Sequence, residues 1–330
     1  MQLLRLSTLL SILLLLHSCN KADDSSGEER LGDSPLLLYA ETTTPFTKSY
    51  IPQGMYDNFK VCAAMEKDAT RTVVMNGYDV RFVNDDWSYV NDTQHLMYWN
   101  SFADRYLFTA GAPIDAVTEM SATSMTLHLE NNTTGSAMAA EPLKIEYGSD
   151  DFGKRVNLRF GYAHCRVSVA FVRNETDISV TDIKLTPKNA ITSKANLTYN
   201  YDWSTNIATS TVQLSDMVTS GASLSFANVS IPAGTDKDDA VQSQTCYYCV
   251  PDASNTTLWT VSLKCNGEVK TAEFVNDKTW ESGKNYIYVF QLTAKSPKLV
   301  EVISQDMKDM YFDCNDIIPG GNFSNTQMTE

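Results

Sequence analysis

The sequence has few of the residues that catalytic sites and nucleic-acid-binding surfaces use. Only four histidines occur in 330 residues, and charged residues make up 20% of the chain. The 26 basic residues are outnumbered by 40 acidic ones, which leaves a formal net charge of −14. A protein that binds nucleic acid needs a basic face to replace the counterions of the phosphates. The charge balance therefore argues against nucleic acid as a partner.

Catalytic and nucleotide-binding motifs are missing as well. The chain contains neither a Gly-x-Ser-x-Gly elbow nor a Gly-x-Gly-x-x-Gly fingerprint. Residues 148–154 satisfy Gly-x-x-x-x-Gly-Lys, but Arg155 stands where the motif needs Ser or Thr to hold Mg²⁺. Carboxylates are plentiful, so an Asp/Glu glycosidase pair stays open, although no local pattern selects one. We expect a non-enzymatic protein with no catalytic residues, no cofactor and no metal site.

Long apolar runs are rare, and the longest lies at the start of the chain. It extends from Leu6 to Leu16 after a single positive charge, Arg5, and is shorter than the ~20 residues of a spanning helix. The run leads into Leu-His-Ser-Cys19, which resembles the lipobox of bacterial lipoproteins, whose cysteine is diacylated and becomes the first residue. An ordinary secretory signal with a chance cysteine is the alternative. The lipobox reading predicts a signal peptide at 1–18 and lipid attachment, including palmitate, at Cys19.

The seven cysteines fit neither a disulfide scaffold nor a metal site. Cys246 and Cys249 have the spacing of a redox or zinc motif, but the residues around them form a strand pattern. On a strand, residues three apart point to opposite faces, so these two thiols should diverge. No second pair of ligands completes a zinc site. We expect the cysteines after Cys19 to be buried thiols that act as small hydrophobic side chains.

Most of the chain alternates apolar and polar residues with a period of two, which is typical of half-buried strands. The clearest cases are 125–130, 143–147, 156–160, 165–171, 178–180, 197–201, 224–226 and 259–263. Residues 286–292 are apolar on both faces, which predicts a central strand. No segment has a convincing apolar period of 3.6 residues over three turns. Many short strands separated by turn-rich clusters indicate β-sandwiches or barrels.

The length of the chain predicts two β-domains after an irregular start. Residues 20–30 contain no aliphatic side chain larger than alanine, so residues 19–34 are expected to be a flexible tether. The irregular stretch 146–154 places the boundary between an N-terminal domain, 35–158, and a C-terminal domain, 159–295. Residues 296–330 form an appended tail with one further strand predicted at 299–303.

Several short motifs occur in an order that is typical of one protein family. In chain order they are the lipobox, a first strand at 35–40, a basic residue at Lys48, a Phe-x-Val-x-Ala strand at 59–63, Trp87, Tyr98-Trp99, 107–110, the strand at His164, and Gly283-Lys-Asn-Tyr286. This order resembles the fimbrillin-like surface lipoproteins of anaerobic Gram-negative bacteria.

The resemblance implies a fold of two tandem transthyretin-like β-sandwiches. Members of the family are shaft, anchor or tip subunits of pili, and they polymerise when a protease cuts after the first strand and a neighbour's strand fills the groove. Lys48 stands at the expected cut site, where arginine is usual, whereas Arg30 precedes the first strand. Both are candidate maturation sites. The departure from arginine favours an anchor, tip or accessory subunit over a shaft subunit.

We therefore expect a fimbrillin-type pilus subunit or surface lipoprotein that acts in cell adhesion through β-strand complementation. Its expected partners are other pilin subunits by donor-strand exchange, the outer membrane through the lipid anchor, and host or bacterial surface glycans or proteins. Its expected location is the outer membrane at the cell surface, or the fimbrium. The alternative is a surface glycan-binding lipoprotein in which exposed aromatic residues, Trp87 and Trp99, contact the sugar, although such residues more often fill the core of a sandwich.

Overall fold

The protein is an assembly of β-strands in every part that can be described. The computed structural model describes residues 34–42, 57–83, 86–91, 93–173, 176–205, 207–236 and 239–307. Its helical segments are short 3-10 turns at Ile114–Ala116 and Ala253–Asn255. Within these residues no helix could span a lipid bilayer. The prediction of an all-β chain is confirmed.

The strands are numbered in chain order. The first ten are β1 Leu38–Thr42, β2 Asn58–Lys67, β3 Thr70–Val83, β4 Asp86–Ser88, β5 Arg105–Ala112, β6 Val117–Met120, β7 Ser124–Glu130, β8 Met138–Ala140, β9 Leu143–Glu146 and β10 Val156–Tyr162. The others are β11 Cys165–Val172, β12 Ile178–Pro187, β13 Ile191–Asp202, β14 Thr209–Ser220, β15 Leu224–Phe226, β16 Val229–Ile231, β17 Val241–Gln242, β18 Tyr247–Cys249, β19 Leu258–Cys265, β20 Glu268–Val275, β21 Lys284–Leu292 and β22 Pro297–Asp306.

Four sheets are formed. Sheet A has the order β1-β10-β8-β5-β2-β3-β4, with β9 paired to β5, and sheet B has the order β14-β13-β7-β6. Sheet C has the order β17-β11-β21-β22, with β18 paired to β11, and sheet D has the order β15-β12-β19-β20, with β16 paired to β12. The pairing of β13 with β7 joins residues on the two sides of the boundary expected at 158. The division into 35–158 and 159–295 stays a prediction, and so does the transthyretin-like topology.

Alternation explains why these residues form strands. In β19 every second residue is buried, and the buried set includes Trp259, Val261 and Leu263. β21 is buried on both faces and pairs with β11 on one side and β22 on the other. The predicted central strand at 286–292 is therefore confirmed.

The sheets enclose three large apolar cores. The C–D core lies between sheets C and D and contains, among others, Cys165, Val167, Phe171, Ile183, Cys249, Trp259, Val261, Tyr288 and Phe290. The A–B core lies between sheets A and B and contains Leu107, Met125, Leu127, Leu129, Leu197, Tyr201 and Trp203 among others. The sheet A core lies on the other face of sheet A, with Leu36, Leu38, Phe59, Val61, Trp87, Tyr89, Trp99, Tyr106, Phe108 and Phe160 as its main members.

Sheet A bends so that its two ends come together around the sheet A core. β1 stands at one end of the strand order and β4 at the other, yet these two strands contact each other. Residues 34–36, which lead into β1, also pair with residues 97–99, which follow β4. The N-terminal strand therefore fills the seam of a rolled sheet, and this seam is the feature on which the functional argument depends.

Candidate strand-exchange groove

The strand that fills the seam is short and runs parallel to its neighbour. β1 pairs with β10 in a parallel register that places Leu38 opposite Val156 and Thr42 opposite Phe160. The amide of Val156 donates to the carbonyl of Leu37 over 2.8 Å. A parallel pair between strands so distant in sequence cannot come from a hairpin. β1 is thus attached to sheet A by its own contacts and not by a tight turn.

The residues before β1 are paired on the opposite side. The amide of Leu36 donates to the carbonyl of Met97 over 2.8 Å, and the amide of Trp99 donates to the carbonyl of Ser34 over 3.1 Å. Pro35 and Tyr98 form the antiparallel bridge between these two bonds. Residues 34–36 therefore pair with residues 97–99 on one side, and the following residues 37–42 pair with β10 on the other.

One buried tyrosine is hydrogen-bonded to both segments of this pairing. The Tyr89 hydroxyl donates to the carbonyl of Leu36 over 2.7 Å and accepts the amide of Met97 over 3.0 Å. Burial raises the pKa of Tyr89 to about 12. The hydroxyl therefore keeps its proton at neutral pH and can donate to whichever strand occupies this position.

Two leucines anchor the strand through alternate positions. Leu36 and Leu38 are 0% and 2% exposed and belong to the sheet A core, whereas Leu37 between them is only half-buried. Side chains two apart on a strand point to the same face. The two leucines are thus buried in the same apolar core as Phe59 and Phe160, whose ring centroids lie 5.3 Å apart, and we call the two buried leucine positions the pockets of the groove.

Trp87 and Trp99 belong to this core, as aromatic residues of a sandwich more often do, so the exposure that the glycan-binding alternative requires of them is absent. Trp87 is 7% exposed and Trp99 is 1% exposed. The Trp87 ring lies 5.1 Å from that of Phe59, and the Trp99 ring lies 4.7 Å from that of Tyr106. Neither ring offers a face to a glycan.

The residue next to Trp99 points outward instead. Tyr98 is 48% exposed, because neighbouring residues of an extended segment face opposite sides. The sequence places Tyr98 and Trp99 side by side but does not say which of them faces the core. Only the pairing with residues 34–36 decides it.

The other predicted site residues lie outside the described residues. Cys19 and Arg30 precede Ser34, and Lys48 lies between Thr42 and Asp57. The lipid site and the two maturation sites therefore stay predictions. Lys48 follows β1 in the chain and Arg30 precedes it, so the two sites differ in whether a cut would separate β1 from β2.

His164 occupies the turn that carries the chain from β10 in sheet A to β11 in sheet C. Its Nδ1 accepts the amide of Ala137 over 3.1 Å and lies 3.3 Å from the Ser136 hydroxyl. Its side chain is 2% exposed, and burial lowers the pKa of His164 to about 4. The ring is thus neutral at physiological pH and acts as a structural acceptor. Cys165, its neighbour, points into the C–D core, so a Cys-His catalytic pair is absent at this turn.

The cysteines correct one expectation. Cys62, Cys165, Cys249 and Cys265 are free and buried, as predicted, and burial raises the pKa of the Cys62 thiol to about 11. Cys246 is different, because it is disulfide-bonded. The expectation that all these cysteines are thiols is therefore wrong at Cys246. Among the described residues no group of three His, Cys, Asp or Glu side chains could hold a metal ion.

Comparison with known proteins identifies the family. The sequence matches the fimbrillin-like family over residues 48–308. No curated protein matches the chain. The fold is similar to that of a candidate cell adhesion protein from Bacteroides uniformis, with a TM-score of 0.50, 14% identity, and coverage of 83% of this chain and 98% of that one.

Two further solved structures are similar at lower scores. A candidate cell adhesion protein from Bacteroides ovatus has a TM-score of 0.49 and 11% identity, with coverage of 82% of this chain and 97% of that one. The fimbrial anchor protein Mfa2 from Porphyromonas gingivalis has a TM-score of 0.34 and 13% identity, with coverage of 82% and 96%. The family match spans most of the chain and is a match to structural pilus subunits, not to enzymes. The chain therefore belongs to the fimbrillin-like family.

Proposed function

We propose that this protein is a fimbrillin-type pilus subunit or fimbrillin-like surface lipoprotein that acts in cell adhesion through β-strand complementation. The observation that carries the proposal is the position of β1, which fills the seam of sheet A with two buried leucines and paired main-chain groups. A strand held in this way can be replaced by another strand with the same alternation. Its partners would be other pilin subunits.

Removal of β1 would leave a groove that is ready to accept a strand. β10 would keep its pairing with β8 on its far side, and residues 97–99 would supply the opposite edge. Burial of one leucine contributes roughly 1.5–3 kcal/mol, so Leu36 and Leu38 together contribute roughly 3–6 kcal/mol. An incoming strand must supply side chains of similar size at these two positions. The groove would therefore select both the register and the sequence of its partner.

The two candidate maturation sites would have opposite effects. A cut after Lys48 would separate β1 from the rest of the chain and allow it to leave. A cut after Arg30 would release the predicted tether and leave β1 in place. Because no arginine stands between β1 and β2, we propose an anchor, tip or accessory role in preference to a shaft role, with the lipid on Cys19 holding the protein at the outer membrane.

The experiment uses the full mature chain with Lys48 replaced by a recognition site for a specific protease. After cleavage, a labelled peptide of residues 34–42 is added and its binding is followed by fluorescence anisotropy. We expect the cut protein to bind the peptide and the uncut protein not to bind it. Peptides with Leu36→Asp or Leu38→Asp should fail, while the matched Leu37→Asp peptide should bind.

Equal binding of the Leu37→Asp and Leu38→Asp peptides would contradict the proposal, because the pockets would then play no part. If cleavage unfolds the protein, recovery of the β-sheet circular dichroism signal on peptide addition replaces the binding measurement. Immuno-electron microscopy of cells then tests the pilus role. Absence of the protein from pili and failure to capture any pilin strand would together overturn it.

The alternative of a glycan-binding lipoprotein has lost its proposed contact residues, since Trp87 and Trp99 are buried. No observation in the described residues favours it.

A further inference from the structure

Two of the free cysteines that the structure describes stand directly opposite each other. In sheet C, β18 pairs with β11 in an antiparallel register that places Cys249 opposite Cys165. Both side chains are 0% exposed and belong to the C–D core, so they point to the same face of the sheet. The Cys165 Sγ atom lies 3.4 Å from the carbonyl oxygen of Cys249. The structure holds both residues as free thiols.

The main-chain bonds of β18 determine how far apart the two Cα atoms lie. The amide of Tyr248 donates to the carbonyl of Asn132 over 2.7 Å, and the carbonyl of Tyr248 accepts the amide of Asn132 over 2.9 Å. These groups of Tyr248 therefore face away from β11. Because successive residues of an antiparallel strand direct their main-chain groups to opposite sides, those of Cys249 face β11. Cys165 and Cys249 thus form a hydrogen-bonded pair, in which the Cα atoms lie about 5.5 Å apart.

This separation suits a disulfide. Disulfides join Cα atoms that are usually about 4.4–6.8 Å apart and Cβ atoms that are about 3.5–4.5 Å apart. Side chains directly opposite on paired antiparallel strands have Cβ atoms about 4.5–5.5 Å apart, so bond formation needs an approach of about 1 Å. β18 is only three residues long, Tyr247–Cys249, and a short strand can shift by this amount.

The other two free cysteines have no cysteine opposite them. Cys62 lies opposite Thr109 of β5, and Cys265 lies between Val180 of β12 and Glu268 of β20. Both are buried, with exposed fractions of 0% and 7%. Burial alone therefore does not distinguish the pair, and Cys62 and Cys265 are its natural controls.

The pair lies where sheets A and B meet sheet C. Cys165 is the first residue of β11 and directly follows His164, in the turn that brings the chain out of sheet A. Tyr248, next to Cys249, forms the isolated bridge to Asn132, which comes soon after β7 of sheet B. A bond between the two cysteines would join these two connections to each other.

We propose that Cys165 and Cys249 form a disulfide when the chain folds in the presence of a thiol-disulfide oxidant, and that this bond holds β18 on β11 at the junction of the sheets. Two thiols become one disulfide, and their two protons and two electrons convert one molecule of oxidised glutathione into two of reduced glutathione. Oxidants of this class act on exported proteins. Both thiols are buried in the folded chain, so the bond must form before the C–D core closes. The proposal goes beyond strand exchange at β1, and either can fail without the other.

The first test is peptide mapping of the full mature chain. The chain is unfolded with reductant and denaturant, refolded with either oxidised or reduced glutathione, and then alkylated in denaturant. We expect mass spectrometry to find a cross-linked peptide that joins Cys165 to Cys249 only after oxidised refolding, while Cys62 and Cys265 are alkylated in both samples. Alkylated Cys165 and Cys249 in the oxidised sample, or a link from either to a different cysteine, would overturn the proposal.

The second test measures what the bond does to stability. The two cysteines are 84 positions apart in the chain, so the disulfide would close a long loop. Reductant also breaks the disulfide of Cys246, so the comparison is between wild type and Cys249→Ala, both refolded with oxidised glutathione. We expect reductant to lower the Tm of wild type by roughly 5–15 °C more than that of the variant.

Cys62→Ala is the matched control and should respond to reductant as wild type does, because its thiol is buried without a partner cysteine. Equal losses of Tm in wild type and Cys249→Ala would contradict the proposal. If Cys249→Ala does not fold, Cys165→Ala takes its place, and the peptide map decides alone if neither folds.

Discussion

β1 and β14 stand at the ends of the strand orders of sheets A and B, and they are of opposite character. β1 is five residues long, runs parallel to its neighbour and follows two leucines, Leu36 and Leu38, of which the second lies in the strand. β14 is twelve residues long, runs antiparallel to β13 and is exposed along almost its whole length. Its apolar residues Val212, Met217 and Val218 are each more than half exposed. The longer strand has more main-chain bonds, and the shorter one has more buried side chains.

The difference suggests that strand exchange, as proposed for β1, depends on buried side chains and not on the length of the edge. β14 offers a long row of main-chain groups, which is a hazard for uncontrolled pairing. A register shift interrupts it where Asp216 takes a positive φ of 49° and accepts a hydrogen bond from the Asn196 amide over 2.8 Å. Such a bulge bends the edge and discourages further pairing. The seam at β1 has no such interruption in its register.

The sharpest way to test this comparison is to remove the buried side chains of the short edge. Leu38→Ala should lower the free energy of unfolding by about 2–5 kcal/mol, because it leaves a cavity in the sheet A core. The matched Leu37→Ala, and Val212→Ala on β14, should each change it by no more than about 0.5–1 kcal/mol. Chemical denaturation of the three variants provides the measurement. A larger loss for Leu37→Ala than for Leu38→Ala would reverse the assignment of the two faces.

The pH dependence of stability tests the side of sheet A that holds β1. His164 follows β10 and is held neutral by burial, with a pKa lowered to about 4. In the unfolded chain this residue binds a proton near pH 6.5. The contribution of the neutral His164 ring to the free energy of unfolding is therefore fully present above that pH and is lost as the pH falls towards 4. The contribution is roughly 3 kcal/mol, and it acts beside the strand that holds β1.

The measurement is the free energy of unfolding against pH for wild type and for His164→Asn, whose side-chain oxygen can still accept the amide of Ala137. Losses from carboxylates are common to both proteins, so only the difference between the curves counts. We expect wild type to lose roughly 3 kcal/mol more than the variant between pH 6.5 and pH 4. Parallel curves would show that His164 is not the group that titrates.

The smallest expected effect comes from straightening the long edge. Asp216→Val places a β-branched residue at a positive φ and should cost about 1–2 kcal/mol. It should also increase self-association, seen by light scattering at rising protein concentration, because the edge loses its bulge. Asp216→Asn is the matched control, since asparagine tolerates this conformation. Self-association of the asparagine variant to the same extent would assign the effect to charge instead.

Much of the strand content could be predicted because alternation is a local property. The patterns at 125–130, 156–160, 165–171 and 259–263 correspond to β7, β10, β11 and β19. The stretch 299–303 lies within β22. β14 was not predicted, since its many Thr and Ser residues and its exposure leave no clear apolar alternation. Its existence depends on β13, which pairs with it and with β7.

The candidate site was predicted in part. The motif at 35–40 pointed to the first strand, and β1 lies there with the buried leucines that the proposal needs. The glycan-binding alternative needed Trp87 and Trp99 to be exposed, and local sequence could not decide between that and the more common place in the core, because an aromatic residue can face either side of a strand. The disulfide of Cys246 could not be foreseen, since the pairing of cysteines cannot be deduced from sequence alone.

The amino-acid sequence by itself determined the all-β character of this chain, the apolar leucines of its first strand and its membership of the fimbrillin-like family. These features depend on the alternation of side chains and on the order of short motifs, and both can be observed directly in the sequence. Only the tertiary structure decided that β1 runs parallel to β10, that β13 pairs with β7, and that both tryptophans face the core. Each of these depends on contacts between residues far apart in sequence, and such contacts form only when the sheets pack together.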